Sequence, residues 1–167
     1  MFSFIVDSPW SGFTFDDLLR FGQNLVQNRE LVQDAIQNLF TNLWDKRTSI
    51  KTPTHPKAYL LRSLRNNLLR DAKRELKVAD LDPNHQHHVH FTSSTSEQED
   101  QFKYMRKVIQ NLSDREREVI HLRYYQEIRN KEIAEIMGIS YQSVANLLQR
   151  ALKHIKVALE SKHSNFK

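Results

Sequence analysis

Three glycines and four prolines in 167 residues leave this chain few places to reverse direction tightly. Sheet proteins need many tight turns, and those turns draw on both residue types. The chain is therefore expected to be all-α with few connections, folded as one domain or two small helical ones. It has no cysteine, which removes disulfides and thiolate metal sites from consideration. No apolar run approaches the roughly 20 residues that a membrane span requires. An acid, Asp7, stands where a signal peptide would carry a basic segment. A soluble, cytoplasmic protein without membrane insertion is the expectation.

The charge is unevenly spread. Residues 1–45 carry a net charge of −4, residues 46–77 of +8, residues 78–102 of −5 and residues 103–167 of +6. Two basic blocks flanking an acidic one suggest two surfaces that contact a polyanion, although solvated helical faces would produce the same count.

Apolar residues recur at helical steps from about Phe15 to Lys46, through Leu18, Leu25, Val32, Ile36, Leu39, Leu43 and Trp44. Gly22 and the Asn28-Arg29 step are candidate breaks. Two prolines and several hydroxyls make Thr48 to Pro56 a loop, and a second helix is expected from about Lys57 to Lys77. From Val78 to Asp100 the periodicity disappears. Four of the eight histidines fall here, beside a Thr/Ser run. Clustered histidines can bind metal, but a site also needs fixed geometry and usually other ligand types. The segment reads as a flexible linker, and neither metal nor cofactor is expected.

Helical pattern resumes at about Phe102. Ser113-Asp114-Arg115-Glu116 fits a capping box for a helix through about Tyr125. Asn130 is the expected cap of a short helix, Lys131 to Met137, which Gly138 would end in a left-handed conformation. Ser140 would cap a last helix reaching about Leu159. The short helix, the tight turn Gly138-Ile139-Ser140 and the long helix have the layout of a DNA-binding helix-turn-helix. Val144, Leu148, Ala151 and Ile155 share one face of the long helix, and Gln142, Asn146, Gln149 and Lys153 the opposite one. Amides can pair bidentately with adenine, while Lys and Arg reach guanine or phosphate. Arg150, flanking this face, suits a backbone contact.

At this point the residues resemble a family. Asn111-Leu112-Ser113 through Ile155 resembles region 4 of sigma-70 family factors, in Leu112, Arg123, Glu132-Ile133-Ala134, Ile139-Ser140, Val144 and Arg150-Ala151. The stretch from Leu112 to Ile120 also resembles the DNA-binding domain of LuxR-type response regulators. The N-terminal half separates the two readings. Asp34 to Trp44 resembles the sigma segment that docks on the β′ clamp helices of RNA polymerase. Ala58 to Asn66 resembles the helix that opens the −10 promoter element. The two-module order with a short linker resembles the extracytoplasmic-function subfamily.

The resemblance implies a region 2 helical bundle over residues 1–77, a flexible acidic linker over 78–102 and a region 4 helix-turn-helix over 103–167. It implies core polymerase contacts at Asp34, Gln37 and Thr41. Lys51 and His55 belong to a loop resembling the one that receives a flipped-out promoter base. With Tyr59, Arg62, Asn66, Arg70 and Lys73 they form the implied −10 surface, where cations interleaved with an aromatic suit a single strand. Ser140, Gln142, Ser143, Asn146, Gln149, Arg150 and Lys153 form the implied −35 surface. The implied partners are core RNA polymerase (through the β′ clamp helices and the β flap), promoter DNA and an anti-sigma factor.

The chain departs from the family in three places. Met1 to Gly12 has no clear counterpart, Ala145 and Leu147 stand where many relatives carry basic residues, and Arg70 replaces a commonly acidic or amide residue. The sequence contains no Gly-rich phosphate loop, no HExxH and no nucleophile–base pairing, so catalysis is not expected. A helix-turn-helix regulator that binds operators without polymerase is the other reading.

Overall fold

A computed structural model describes residues 14–26, 28–50, 53–79 and 97–164; all regular structure among them is helical. Two compact units divide the chain.

Three helices build the N-terminal unit: α1 (Phe15–Leu25), α2 (Arg29–Asp45) and α3 (Pro56–Ala79). Each packs on the other two. Thr14 starts α1 with a capping box. Its hydroxyl accepts the Asp17 N–H at 3.2 Å, and Asp17 Oδ2 accepts the Thr14 N–H at 3.1 Å. Between Gly22 and Asn28, it is Asn28 that marks the break, and it caps α2 by accepting the Leu31 N–H at 3.1 Å. Gly22 instead lies buried inside α1, where an added Cβ would collide with Val32 Cγ1 of α2. Glycine here permits the close approach of two helices. Pro56 opens α3, a position where its missing N–H costs no helical bond. Leu60, Leu61, Leu64 and Leu68 of α3 are at most 1% exposed, and Phe21 of α1 and Ile36 of α2 are fully buried, in a core made where the three helices pack together.

The C-terminal half of the chain contains α4 (Glu97–Gln110), α5 (Asp114–Ile120), α6 (Asn130–Met137) and α7 (Tyr141–Ser164). The Ser113 capping box forms as expected, with the Ser113 hydroxyl accepting the Glu116 N–H at 3.4 Å and Glu116 Oε2 accepting the Ser113 N–H at 3.2 Å. After Ile120 the helix widens into a π-turn over His121–Tyr125, closed by the Gln126 N–H on the His121 carbonyl at 3.0 Å. One residue per turn is thereby added. His121 and Gln126 stay inside with Leu122, whereas Tyr124 and Tyr125 project outward, more than half exposed. The Arg123 guanidinium donates to the Ile128 carbonyl at 3.2 Å and braces the following loop. Tyr104 of α4 ties α4 to α7 by donating its hydroxyl to the Ala158 carbonyl at 2.7 Å.

Several expected boundaries move. Helix α4 begins at Glu97 rather than Phe102, α3 continues to Ala79, and α7 continues to Ser164 rather than Leu159. Asn130 is the first residue of α6 and not its cap. The preceding Arg129 N–H is held instead by Glu132 Oε2 at 3.2 Å, an acid reaching back from the first turn. The histidines at positions 85–90 and Lys51 lie outside the described residues. No helix among the described residues is long and apolar enough to cross a membrane.

Candidate nucleic-acid interface

The helix-turn-helix geometry is set by two short local devices. Gly138 adopts φ +65°, the left-handed conformation that stops α6 and that a side chain would strain. Two residues later Ser140 caps α7, its hydroxyl accepting the Ser143 N–H at 3.1 Å and lying 2.8 Å from the Ser143 hydroxyl. Both serine hydroxyls named for the −35 surface therefore already serve the cap. Ile139, half-buried between them, anchors the turn from inside.

Helix α7 then presents two faces. Val144, Leu148 and Ala151 are buried, with Ile155 half-buried beside them. Gln142, Asn146, Gln149 and Lys153 are all exposed along the opposite arc. Gln142 Nε2 donates to Asn146 Oδ1 at 3.1 Å, so two of the three amides are joined. Leu147 is only 6% exposed. It belongs to the core, and its departure from basic relatives concerns packing and not the exposed arc.

Arg150 and His154 border that arc on the side of α5. His154 Nδ1 lies 3.3 Å from Glu116 Oε1. Burial works to raise the Glu116 pKa. Hydrogen bonds from the Ser113 hydroxyl and N–H, with the nearby His154 and Arg150, outweigh it and hold the carboxyl below the usual glutamate value. Glu116 thus stays ionised and anchors the edge of the basic face. The sequence pattern contained no signal for this pairing, nor for Tyr141, which opens α7 beside Gln142 and is 58% exposed.

On α3, Tyr59, Arg62, Asn66, Arg70 and Lys73 are exposed on the side away from the leucine core. Tyr59 is 38% exposed, which places its ring at the surface and excludes full burial as its role. Arg70 leans on its neighbours, donating to Asn67 Oδ1 at 3.3 Å and to Asp71 Oδ1 at 3.4 Å. His55 is exposed just before α3. Asp17, on α1, faces Lys57 at the start of α3. Burial raises its pKa, but the Thr14 hydroxyl and N–H, Lys57 and Arg20 together bring it below the usual aspartate value.

On α2, Asp34, Gln37 and Thr41 are exposed, while Ile36 and Leu39 point into the core and Leu43 is half-buried. This surface mixes polar groups with aliphatic stems, a composition suited to a wet protein contact.

Residues 102–155 match the family described as Sigma-70, region 4. The chain is similar to the RNA polymerase sigma-F factor of Bacillus subtilis (strain 168), 38% identical over 56 residues, which is 34% of this chain and 22% of that one. Similarity to the RNA polymerase sigma factor SigZ of the same organism runs much further. It is 24% identical over 158 residues, covering 93% of this chain and 87% of SigZ. In fold the chain resembles the sigma factor RpoE from Bartonella quintana, crystallised in complex with the anti-sigma factor NepR. The TM-score is 0.65 at 22% identity, over 87% of this chain and 91% of the other.

Proposed function

We propose how this chain, a sigma-70 family factor of the extracytoplasmic-function type, directs transcription: it binds core RNA polymerase and places two DNA-reading surfaces on a promoter. The observation that carries this reading is the pairing of an exposed basic-aromatic face on α3 with a helix-turn-helix whose outer arc is lined by amides. Similarity running through both units, over 93% of the chain, supports a two-module factor over a regulator that shares only the helix-turn-helix.

In this reading residues 1–77 hold polymerase and open the −10 element, residues 78–102 link the modules, and residues 103–167 read the −35 element. Asp34, Gln37 and Thr41 of α2 meet the β′ clamp helices, and the C-terminal unit meets the β flap. His55, Tyr59, Arg62, Asn66, Arg70 and Lys73, with Lys51, receive the separated strand. Phosphates need the cations, and an unstacked base needs the flat ring. Gln142, Asn146 and Gln149 read base edges in the major groove, with Ser140, Ser143, Arg150 and Lys153 flanking them against the backbone. The RpoE complex with NepR supports an anti-sigma factor as a further partner, and the work is that of a cytoplasmic initiation factor with no catalysis of its own.

Reconstitution tests the reading. Purified chain added to core enzyme should start transcription from a cognate promoter and co-elute with core. Tight operator binding without core, and no effect on initiation, would replace it with the regulator reading.

A further inference from the structure

The bond between Gln142 and Asn146 changes what the recognition helix can offer to DNA. The two residues stand four apart, where side chains on a helix meet. Gln142 Nε2 gives one hydrogen to Asn146 Oδ1 at 3.1 Å. The atoms left to face outward are an acceptor, Gln142 Oε1, and a donor, Asn146 Nδ2. Turning both amides over reverses the order and again leaves one donor and one acceptor. Turning only one sets N–H against N–H or oxygen against oxygen. The two side chains therefore hold or change orientation together.

We propose that Gln142 and Asn146 act as a single reader of two neighbouring base pairs, in which the base taken by one amide sets what the other offers to the next. The inference rests on α7 being the −35 reading helix. One helical turn advances about 5.4 Å, enough to reach from one base pair to the next. Adenine and cytosine present exocyclic amines in the major groove, whereas purine N7, guanine O6 and thymine O4 are acceptors. A step that places an amine beside an acceptor satisfies the linked pair in one of its two orientations. A step read through two amines, or through two acceptors, forces the amides apart. The pair thus selects a dinucleotide, and its preferences at the two positions are interdependent.

Gln142→Glu makes this specific. A carboxylate cannot donate to Asn146 Oδ1, so the link reverses, Asn146 Nδ2 donates inward and acceptors face outward from both residues. Preference should then move towards amines at both positions.

The experiment uses the full chain with core polymerase on promoters randomised across the −35 element. The wild type should show non-additive preference at one neighbouring pair of positions, on the order of threefold or more. Gln142→Ala and Asn146→Ala should each abolish that non-additivity, and Gln142→Glu should shift the preferred step as stated. Both residues are exposed, so thermal unfolding of the alanine variants should match the wild type and exclude misfolding. Additive wild-type preferences, with each alanine change altering one position independently, would overturn the linked reader while leaving −35 recognition by α7 intact. Unchanged base preference in both alanine variants would overturn the linked reader and remove both amides from the −35 surface.

Discussion

Glu116 Oε1 lies 3.3 Å from His154 Nδ1, while Glu116 Oε2 receives the Ser113 hydroxyl at 2.8 Å. One carboxylate thus closes the capping box of α5 and meets α7 midway along its length. The start of one helix and the placement of another depend on the same buried side chain, which is 5% exposed.

Stability of the C-terminal unit should fall in acid through Glu116. Folding lowers its pKa, so the ionised carboxylate stabilises the fold fully above the unfolded value of 4.5, and that stabilisation is lost as pH falls through the lower folded value. An amide in place of the carboxylate would keep the capping-box geometry without the charge. Glu116→Gln is expected to cost roughly 1 kcal/mol at neutral pH, with its stability converging on the wild type in acid. Glu116→Ala, which also removes the cap, should stay less stable throughout. Hydrogen exchange of α5 and α7 amides between pH 7 and pH 3 reads both effects. A deficit in Glu116→Gln that does not vary with pH would show that the charge contributes nothing.

Gly22→Ala should destabilise the N-terminal unit although alanine is the better helix former by about 1 kcal/mol. The new methyl would collide with Val32 Cγ1 and lie 3.3 Å from Leu68 Cδ1, so two helices must move apart. Overpacking of this kind costs about 1–3 kcal/mol. Thermal unfolding should show a lower midpoint for Gly22→Ala, and Val32→Ala added to it should cost less than Val32→Ala alone. Equal costs would mean that the two positions do not compete for the same space.

What could be read from sequence was local. Ser113, Gly138 and Ser140 act within three or four residues of themselves, and each sits where its capping chemistry predicts. The leucine stripe of α3 follows from helical period alone. Asn130 misled because a good capping residue stood one position inside a helix, while the N–H just before it, on Arg129, is held by Glu132. No residue type marks the π-turn after Ile120, which leaves Tyr124 and Tyr125 exposed in a stretch expected to continue as an ordinary helix. The contacts that order the candidate site, Glu116 with His154 and Tyr104 with Ala158, join residues far apart in the chain, and no periodicity encodes them.

Two positive-φ residues should respond in opposite directions. Glu127 adopts φ 55° and Gly138 φ 65°. A left-handed conformation costs a residue with a Cβ roughly 1–2 kcal/mol. Glu127→Gly removes that cost but adds chain entropy to the unfolded state, so a gain of a few tenths to about 1 kcal/mol is expected. Gly138→Ala should lose about 1–2 kcal/mol from backbone strain alone, since no atom lies within 4 Å of the added Cβ. Gly138→Asn should lose less, because asparagine tolerates this region. Urea unfolding of the three variants measures the order, and a Gly138→Asn variant no better than Gly138→Ala would point to something other than φ.

Promoter opening and polymerase binding should separate along two helices of the N-terminal unit. Tyr59 and Asn66 lie seven residues apart on the exposed side of α3, one offering a ring and the other an amide. Neither contributes to the leucine core, so Tyr59→Ala and Asn66→Ala should fold as the wild type does. Loss of a stacked base is typically worth about 1–3 kcal/mol, which corresponds to roughly fivefold to more than a hundredfold in open-complex formation. Core binding should hardly change in either variant. Combined alanine changes at Asp34, Gln37 and Thr41, on the exposed side of α2, should do the reverse, weakening co-elution with core while leaving strand separation normal once core is saturated. Permanganate reactivity of promoter thymines reads opening, and titration of core reads binding. If Tyr59→Ala and Asn66→Ala both open promoters at the wild-type rate, the α3 face is only a solvated surface. If they lose core binding instead, this face meets polymerase, and the division of roles between α2 and α3 is wrong.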